Sequence, residues 1–431
     1  MITFVHTADL HYGVENYGRV DPQTGIHTRL LDFHNAFSFV VTKAIEHNVD
    51  FFLMCGDAYK TAHPTPTQQR LLLENLLRLY QAKIPVILIV GNHDIPGSFG
   101  KSHTLDLFDK LPVEGFHVVS KPTLLIVSTK NGPVQIIGIP WPTRNTLSLN
   151  QAPLSTRSGQ ITQEISRLLS TEMQKLAAQL NPHNPAILAG HLTASTGTFS
   201  GSEKCATTGQ DPIFLPSQLA LPGIDYIALG HLHRYQQVNP AQTPPIVYSG
   251  SVERIDFGEI KDTKGFCLVT IPNKSMARVT FVPTPVRPFV EIRLTLNATT
   301  QPTQQLVQEI ARHNIHKAIV KITYIIPPDV TQPVDLKAIH AACSHAHHIA
   351  CIIPIVQNTP RPIRARLSTQ MSTQESLVTF LQTQEVSEGK IKRIQQKLQR
   401  IIDSSELPQD TLIEQVLAHH RQEPLIDQIR D

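Results

Sequence analysis

Five short apolar runs, each followed within a few residues by Asp, Asn or His, constrain this 431-residue chain more than any other feature. Apolar runs with β-branched residues that stop at Gly predict buried strands. In open α/β sheets, ligands bind just beyond the carboxyl ends of the strands. The pairs are Met1–Val5 with Asp9 and His11, Val49–Cys55 with Gly56 and Asp57, Ile84–Val90 with Gly91–Asp94, Ala186–Ala189 with Gly190 and His191, and Ile224–Leu229 with Gly230–His233. The pattern predicts one shared site at the strand ends.

The polar residues at these strand ends are of the types that hold a pair of metal ions. A two-metal hydrolytic site needs two cations about 3.5–4 Å apart, and a carboxylate bridges them well because it offers two oxygens. A mixed set of Asp, His and Asn suits Mn, Fe, Co or Zn better than Mg or Ca. The seven candidate metal ligands are Asp9, His11, Asp57, Asn92, His191, His231 and His233. His93, which follows Asn92, is placed to donate a proton or to stabilise charge.

The signals differ in specificity. A lone Asp-x-His or Gly-Asp pair indicates little, since each residue alone is as often a satisfied polar residue of a core or loop. Gly91-Asn92-His93-Asp94 after a predicted strand is a much stronger signal. All five motifs in this order make a chance arrangement improbable, because buried polar groups need partners.

Composition sets the class of protein. A chain of this length is expected to form two or three domains, and 41% hydrophobic with 17% charged residues is typical of a globular protein in water. A net charge of +3 is too small to indicate a nucleic-acid partner by itself. Five scattered Cys argue against a disulfide framework. With no basic leader and no apolar run of about 18 residues, we expect a cytoplasmic protein without a membrane segment.

Periodicity divides the chain into three regions. Helical spacing at 30–45 and 67–81 between strands predicts a β-α-β-α-β arrangement, followed by further strands and a three-stranded meander up to residue 282. Pro283, Pro285 and Pro288 mark a linker. A small β-α-β-α-β unit and a helical tail follow, and the tail opens on a capping box formed by Ser372 and Glu375. The predicted domains are 1–285, 286–365 and 366–431.

The order of these motifs resembles that of the calcineurin-like metallophosphoesterase superfamily. Within it, the chain resembles the SbcD family, the nuclease subunit of the bacterial SbcCD complex. The segment Tyr248–Gly258 (YSGSVERIDFG) is similar to a family segment that joins the nuclease to a capping domain. The resemblance implies an α/β fold in which helices flank two β-sheets, with a small α+β capping domain and a helical C-terminal tail.

The resemblance also implies roles for the candidate residues. Two divalent ions, Mn²⁺ before Fe, Co, Zn or Mg, would share Asp57 as the bridging ligand. His93 would act on the scissile phosphate, and Asp94 would orient His93. The first ion would be held by Asp9, His11, Asp57 and His233, and the second by Asp57, Asn92, His191 and His231.

The activity implied is that of a DNA phosphodiesterase of repair, recombination and replication. It would act as a 3′→5′ exonuclease on double strands and as an endonuclease on single strands and hairpins. DNA would be the substrate, an SbcC-type ATPase would bind the C-terminal helices, and the nuclease subunit would form a homodimer. Two rivals remain: a small-molecule or protein phosphatase with the same two metals, and a DNA-binding scaffold without chemistry.

Two further clusters have weaker interpretations. Cys343, Cys351 and the His residues between them fit no zinc spacing and indicate a surface turn rather than a metal site. Four basic residues near predicted strand-end loops are candidates for phosphate contacts or are ordinary surface charge. They are Lys60, Lys101, Arg144 and Arg254.

Overall fold

The structure is a computed structural model that describes residues 1–96, 102–110, 114–143, 158–201, 211–240, 242–274, 276–357, 371–384 and 386–405. The chain divides into two compact units. The first comprises Met1–Leu294, Thr300–Tyr324 and Pro333–Ile353, and the second comprises Thr295–Thr299, Ile325–Gln332 and Pro354–Asp431. The boundaries predicted after residues 285 and 365 stay predictions.

Strands account for most of the buried framework. In chain order they are β1 (Ile2–Thr7), β2 (Phe51–Cys55), β3 (Val86–Ile89), β4 (Phe116–Val119), β5 (Thr123–Thr129), β6 (Gly132–Ile139), β7 (Ala186–His191), β8 (Thr193–Ala194), β9 (Ile213–Phe214), β10 (Tyr226–Gly230), β11 (Gln236–Gln237), β12 (Ile246–Tyr248), β13 (Gly265–Ile271), β14 (Arg278–Pro283), β15 (Phe289–Thr295), β16 (Ile319–Ile326) and β17 (His348–Val356).

The helices lie between and after these strands. They are α1 (Thr28–Glu46), α2 (Pro66–Gln81), α3 (Asp106–Lys110), α4 (Ser158–Ala177), α5 (Pro216–Leu219), α6 (Pro302–Ala311), α7 (Leu336–Ala342), α8 (Thr373–Thr383) and α9 (Glu388–Ser405). None of the helices in the described ranges is long and apolar enough to cross a membrane.

Two six-stranded sheets pack face to face in the first unit. Their strand orders are β14-β13-β1-β2-β3-β4 and β11-β12-β10-β7-β6-β5. Between the sheets lie fully buried side chains such as Phe4, Phe51, Ile87, Ile136 and Tyr226. One core cluster joins α1 and α2 to the outer face of the first sheet, and another joins α4 and α5 to that of the second. The sandwich predicted by the resemblance is therefore the observed architecture.

Parallel pairing determines where the functional motifs meet. Strands β1 to β4 run parallel to one another, and so do β6, β7, β10 and β12. β2 of the first sheet lies against β7 and β10 of the second. The carboxyl ends of β1, β2, β3, β7 and β10 therefore meet at one edge of the sandwich.

A third sheet, in the order β15-β16-β17, follows the sandwich in sequence and carries α6 and α7 between its strands, in the predicted β-α-β-α-β order. Residues just before β15 and β17 contact α1 within the first unit. The guanidinium of Arg287 makes a two-pronged ion pair with Asp32 at 2.5 and 2.6 Å, and Nε2 of His347 lies 2.9 Å from the hydroxyl of Thr28.

The second unit contains α8 and α9, which contact each other. The predicted capping box is confirmed, since Ser372 and Glu375 bond each other's backbone amides. On α9, Ile391 is buried but Ile401 is 65% exposed, and Phe380 on α8 is 48% exposed. This pair of helices therefore leaves apolar surface uncovered among the described residues. Residues 406–431 of the predicted helical tail lie outside the described ranges.

Candidate metal centre

The backbone at the strand ends adopts an unusual conformation. Four non-glycine residues there have a positive φ: Asp9 (54°), His11 (45°), Asp57 (54°) and His231 (101°). Residues with a Cβ rarely adopt this region, and where they do, the strain of roughly 1–3 kcal/mol each tends to occur at functional sites. All four are candidate ligands, so the strained backbone coincides with four of the seven residues that the motifs indicate.

Glycines allow the strand ends to approach one another. A Cβ on Gly56 would overlap the imidazole of His191, and one on Gly91 would overlap the carboxylate of Asp57. A Cβ on Gly230 would overlap the carbonyl of Cys55. The glycines before Asp57, Asn92 and His231 are therefore required by close packing between neighbouring loops.

Backbone hydrogen bonds tie the loops after β1, β2 and β10 together. The amide of Asp9 donates to the carbonyl of Gly56 at 3.1 Å, and the amide of His11 donates to the carbonyl of Asp57 at 3.0 Å. The amide of His231 donates to both carboxylate oxygens of Asp9 at 3.1 Å. These bonds fix the positions of the three ligand-bearing loops relative to one another.

One half of the site gathers Asp9, His11 and His233, whose ligand atoms lie within 4.8 Å of one another. The Nε2 atoms of His11 and His233 are 3.0 Å apart. On its other side, Nδ1 of His233 lies 2.8 Å from Oε1 of Glu259. An ionised carboxylate only accepts, so the His233 proton sits on Nδ1 and its Nε2 lone pair faces His11. A 3.0 Å separation matches two adjacent ligands of one ion at roughly 2.1 Å each.

The other half gathers Asn92, His191 and His231. Nδ1 of His191 donates to the carbonyl of Cys55 at 2.8 Å, so in the neutral ring Nε2 is an acceptor. That Nε2 lies 2.9 Å from Oδ1 of Asn92 and 3.4 Å from Oδ2 of Asp57, which are also acceptors. Nδ1 of His231 lies 3.2 Å from the same Asn92 oxygen. With His191 neutral these acceptors would face one another, so either a proton on His191 or a bound cation supplies the missing positive charge.

Asp57 lies between the two halves. Its Oδ2 is 3.4 Å from Nε2 of His191 and 3.7 Å from Nε2 of His11, and its Oδ1 accepts from the amide of His93 at 2.9 Å. Both histidines therefore face the same oxygen, as a bridging ligand requires.

The pKa values reflect this crowding. Burial opposes charge on Asp57, but the neighbouring His191, His11 and His93 outweigh it and lower the pKa of Asp57. Burial likewise opposes charge on His191, yet Asp57 raises the pKa of His191 to about 9. Burial raises the pKa of Asp9 to about 6. Without an ion, a proton on His191 supplies the positive charge that the acceptors need.

This donor set fits the pair of divalent ions that the motifs predict. Carboxylates, an amide oxygen and imidazole nitrogens converge, and within the described ranges no Lys or Arg forms an ion pair with Asp57. Mixed nitrogen and oxygen ligands of this kind suit transition metals and zinc.

His93 lies at the rim of the site and is partly exposed. Its Nδ1 is 2.8 Å from the carbonyl of Lys60, so Nδ1 donates and Nε2 is free for chemistry. Asp94, expected to orient His93, makes its hydrogen bonds elsewhere. Its carboxylate accepts from the amides of Gly91 (3.0 Å) and Tyr59 (3.3 Å). Asp94 therefore shapes the turn that carries His93, and the Lys60 carbonyl orients the ring.

Three side chains at the site were not anticipated from the sequence. Nε2 of His231 lies 3.1 Å from Oδ2 of Asp211, Glu259 binds His233, and the Trp141 ring lies 4.9 Å from that of His231. Metal-bound His residues usually give their second ring nitrogen to a carboxylate or carbonyl. That rule predicts a carboxylate or carbonyl partner for each ligand histidine, but no spacing in the sequence indicates which acidic residue accepts its hydrogen bond.

The weaker sequence clusters have mixed outcomes. No metal-binding group involving Cys343 or Cys351 occurs among the described residues. Arg254 is partly buried, and its guanidinium donates to the carbonyls of Arg287 and Asp262, so it is not placed as a free phosphate contact. Lys60 is exposed beside His93. Lys101 and Arg144 lie outside the described residues.

Comparison with known proteins now identifies the class. The model of the calcineurin-like phosphoesterase family matches residues 2–235, more than half of the chain. The chain therefore belongs to the calcineurin-like phosphoesterase family, and it is an enzyme of the metallophosphoesterase class. Both the recognised superfamily and the fold class expected from the motifs are confirmed.

Particular relatives refine the resemblance. The chain is 25% identical to the SbcD component of the nuclease SbcCD of Staphylococcus epidermidis, over 75% of this chain and 80% of that protein. It is 29% identical to the uncharacterized metallophosphoesterase YhaO of Bacillus subtilis, over 63% of this chain and 58% of that protein. With the DNA double-strand break repair protein Mre11 of Methanosarcina mazei it shares 26% identity, over 72% of this chain and 43% of that protein. The chain thus spans about half the length of the last two.

Among solved structures, a dimetal phosphatase from Danio rerio matches 66% of this chain and 99% of that chain, with 13% identity and a TM-score of 0.34. A score this low adds no weight to the family assignment.

Proposed function

We propose that this chain is a two-metal DNA nuclease, in which Asp9, His11, Asp57 and His233 hold one ion and Asp57, Asn92, His191 and His231 hold the other. The observation that carries the proposal is that Nε2 of His11 and Nε2 of His191 both face Oδ2 of Asp57, with Oδ1 of Asn92 beside His191. Mn²⁺ is the ion proposed, and a cytoplasmic location is proposed with it.

DNA is the proposed substrate because two of the relatives are a nuclease component and a protein of DNA double-strand break repair. The proposed reactions are 3′→5′ exonucleolytic cleavage of double strands and endonucleolytic cleavage of single strands and hairpins. The partly exposed His93 and the exposed Lys60 border the site where a phosphodiester would enter.

Two bound cations would supply Lewis acidity, which activates a water molecule and stabilises charge on the phosphate. The chain's own residues do the rest. Asp57 holds both halves of the site together through one oxygen. His93, anchored by Nδ1–H on the Lys60 carbonyl, presents Nε2 toward the substrate side, where a protonated ring can donate to the leaving oxygen. The amide of His93 donates to Oδ1 of Asp57, so the proposed proton donor is fixed in position relative to the proposed bridging ligand.

Partners are proposed on similar grounds. An SbcC-type ATPase would dock on α8 and α9, where Phe380 and Ile401 leave apolar side chains exposed beside the basic residues of α9. A homodimer would need an apolar surface, and Leu77, Tyr80 and Leu107 are exposed on α2 and α3. Both assemblies can be checked by co-purification and by light scattering of the full chain.

The proposal is tested by offering supercoiled DNA, linear duplex, a DNA hairpin and a chromogenic phosphomonoester in parallel. After chelator treatment we expect no cleavage, and added Mn²⁺ should restore cleavage of the DNA substrates. Turnover of the monoester alone would favour the phosphatase alternative. Binding of DNA without any metal-dependent turnover would favour the scaffold.

A further inference from the structure

A buried charge pair lies directly behind His233, away from the acceptors of the metal centre. Glu259 and Lys264 are both fully buried, and their side chains are 2.9 Å apart. Oε1 of Glu259 accepts from Nδ1 of His233 at 2.8 Å, and Oε2 accepts from the amide of Ile255 at 2.8 Å. Lys264 also donates to the carbonyl of His233 at 2.9 Å. The pair therefore forms hydrogen bonds with both the ring and the backbone carbonyl of His233.

The chemistry of the pair determines the tautomer of His233. A carboxylate has no proton to give, so it forces the ring proton onto Nδ1. Lys264 lies 2.9 Å from Oε2 of Glu259, so its positive charge offsets the negative charge of the buried carboxylate. The pair is electrically neutral, so it adds no net charge behind the metal centre.

We propose that Glu259 and Lys264 form a positioning pair that fixes His233 with its Nε2 lone pair directed at one of the two metal ions. This inference rests on the proposed function, since it assigns His233 to a metal. It predicts that the pair controls the affinity of one ion only. The other ion, proposed to be held by Asp57, Asn92, His191 and His231, has a separate support in the carbonyl of Cys55 and in Asp211.

Glu259→Gln tests the pair with little change in shape. The Gln amide can turn its NH₂ group toward Nδ1 of His233, which moves the ring proton to Nε2 and removes the ligand lone pair. The measurement is a Co²⁺ titration of the full chain after chelator treatment, followed by the visible absorption of the bound ion. Wild type is expected to bind two equivalents. In Glu259→Gln one equivalent should weaken about 10- to 100-fold with an altered spectrum, while the other is unchanged.

Asp225→Asn is the matched control. Asp225 is also fully buried and also pairs with a lysine, Lys274 at 3.1 Å, but it accepts from the amide of Ala186 at the start of β7. This variant removes a buried carboxylate far from the motifs at the strand ends. Both Co²⁺ equivalents should keep their affinity and spectrum.

Glu259→Gln removes the nearer carboxylate partner of Lys264 and leaves only that of Asp262 at 4.0 Å, so Glu259→Gln/Lys264→Met is made beside it. Circular dichroism shows which of the two variants folds, and the Co²⁺ titration is carried out on the folded variant. Unchanged affinity and spectrum of both equivalents would overturn the inference, as would equal weakening of both, which is the mark of a merely structural role. If wild type itself binds no Co²⁺, the proposed function fails and the inference fails with it.

Discussion

The two ends of the β-sandwich both contain buried carboxylates, yet they differ in what surrounds them. At the amino ends of the strands, Asp50 accepts from the amide of Thr3 and from Asn131, and Asp225 accepts from the amide of Ala186 and from Lys274. Each of these acceptors meets donors. At the carboxyl ends, Asp57 and Asn92 both face Nε2 of His191, whose other ring nitrogen already donates to the carbonyl of Cys55. Buried carboxylates therefore occur at both ends of the sandwich. The metal centre differs because several of its ligand atoms face one another instead of facing Lys or amide donors.

A similar contrast separates two buried histidines. His6, between the sheets, lies 2.9 Å from the hydroxyl of Tyr226 and 3.2 Å from the carbonyl of Leu229, and burial lowers the pKa of His6 to about 3. His191, beside Asp57, has its pKa raised to about 9 in spite of equal burial. A neighbouring carboxylate therefore reverses the effect of burial.

Replacing the proposed bridging ligand should have the largest effect. Asp57→Asn keeps an acceptor for the amide of His93 but removes the charge shared by both ions. We expect metal-dependent phosphodiester hydrolysis to fall on the order of 10³-fold, about 4 kcal/mol of transition-state stabilisation. Steady-state kinetics on a chromogenic phosphodiester with saturating Mn²⁺ checks this. Activity within tenfold of wild type would show that Asp57 does not bridge.

His93→Gln should have the next largest effect, and on chemistry alone. Loss of a proton donor costs roughly 10²-fold or more in kcat, whereas the seven proposed ligands remain. Parallel assays of kcat and of bound metal by elemental analysis separate the two quantities. Loss of metal together with activity would instead place His93 among the ligands.

Asp225→Asn examines the other end of the sandwich. It leaves the amide of Ala186 and Lys274 with a weaker partner, so the free energy of unfolding should fall by about 2–3 kcal/mol. Hydrolysis at saturating Mn²⁺ should stay within twofold of wild type. Urea unfolding of the chelator-treated protein measures the free energy of unfolding. A large loss of activity would show that the buried carboxylate at the amino ends of the strands also serves the metal centre.

The smallest effect concerns His6 and pH. Because the folded protein holds the pKa of His6 near 3, below the value of about 6.5 in the unfolded chain, the unfolded chain binds a proton first as the pH falls. Stability is therefore lost between pH 6.5 and pH 3, by about 2 kcal/mol from pH 7 to pH 5. Urea unfolding at the two pH values should show a steeper loss in wild type than in His6→Asn. Equal losses would mean that the pKa of His6 is the same in the folded and the unfolded chain.

Much of the fold was predictable because its elements have regular patterns. The strands before each motif, helices α1 and α2, and the capping box of α8 were predicted to within a few residues. Strands β4 and β5 were not, since Phe116–Val119 and Thr123–Thr129 mix half-exposed with buried positions and lead into no motif. The part of the tail beyond residue 405 lies outside what the structure describes.

The sequence alone determined the order of the ligand motifs and the chemistry of their side chains, because apolar periodicity and residue type are local properties. It also placed Gly before Asp57, Asn92 and His231, and the structure shows that a Cβ would not fit at these three glycines. Only the tertiary structure decided which carboxylates serve the histidines. Asp211 and Glu259 reach His231 and His233 through folded loops, and no pattern along the chain encodes those distances. Hydrogen bonds to a second ring nitrogen depend on positions in space, and those exist only once the two sheets have packed.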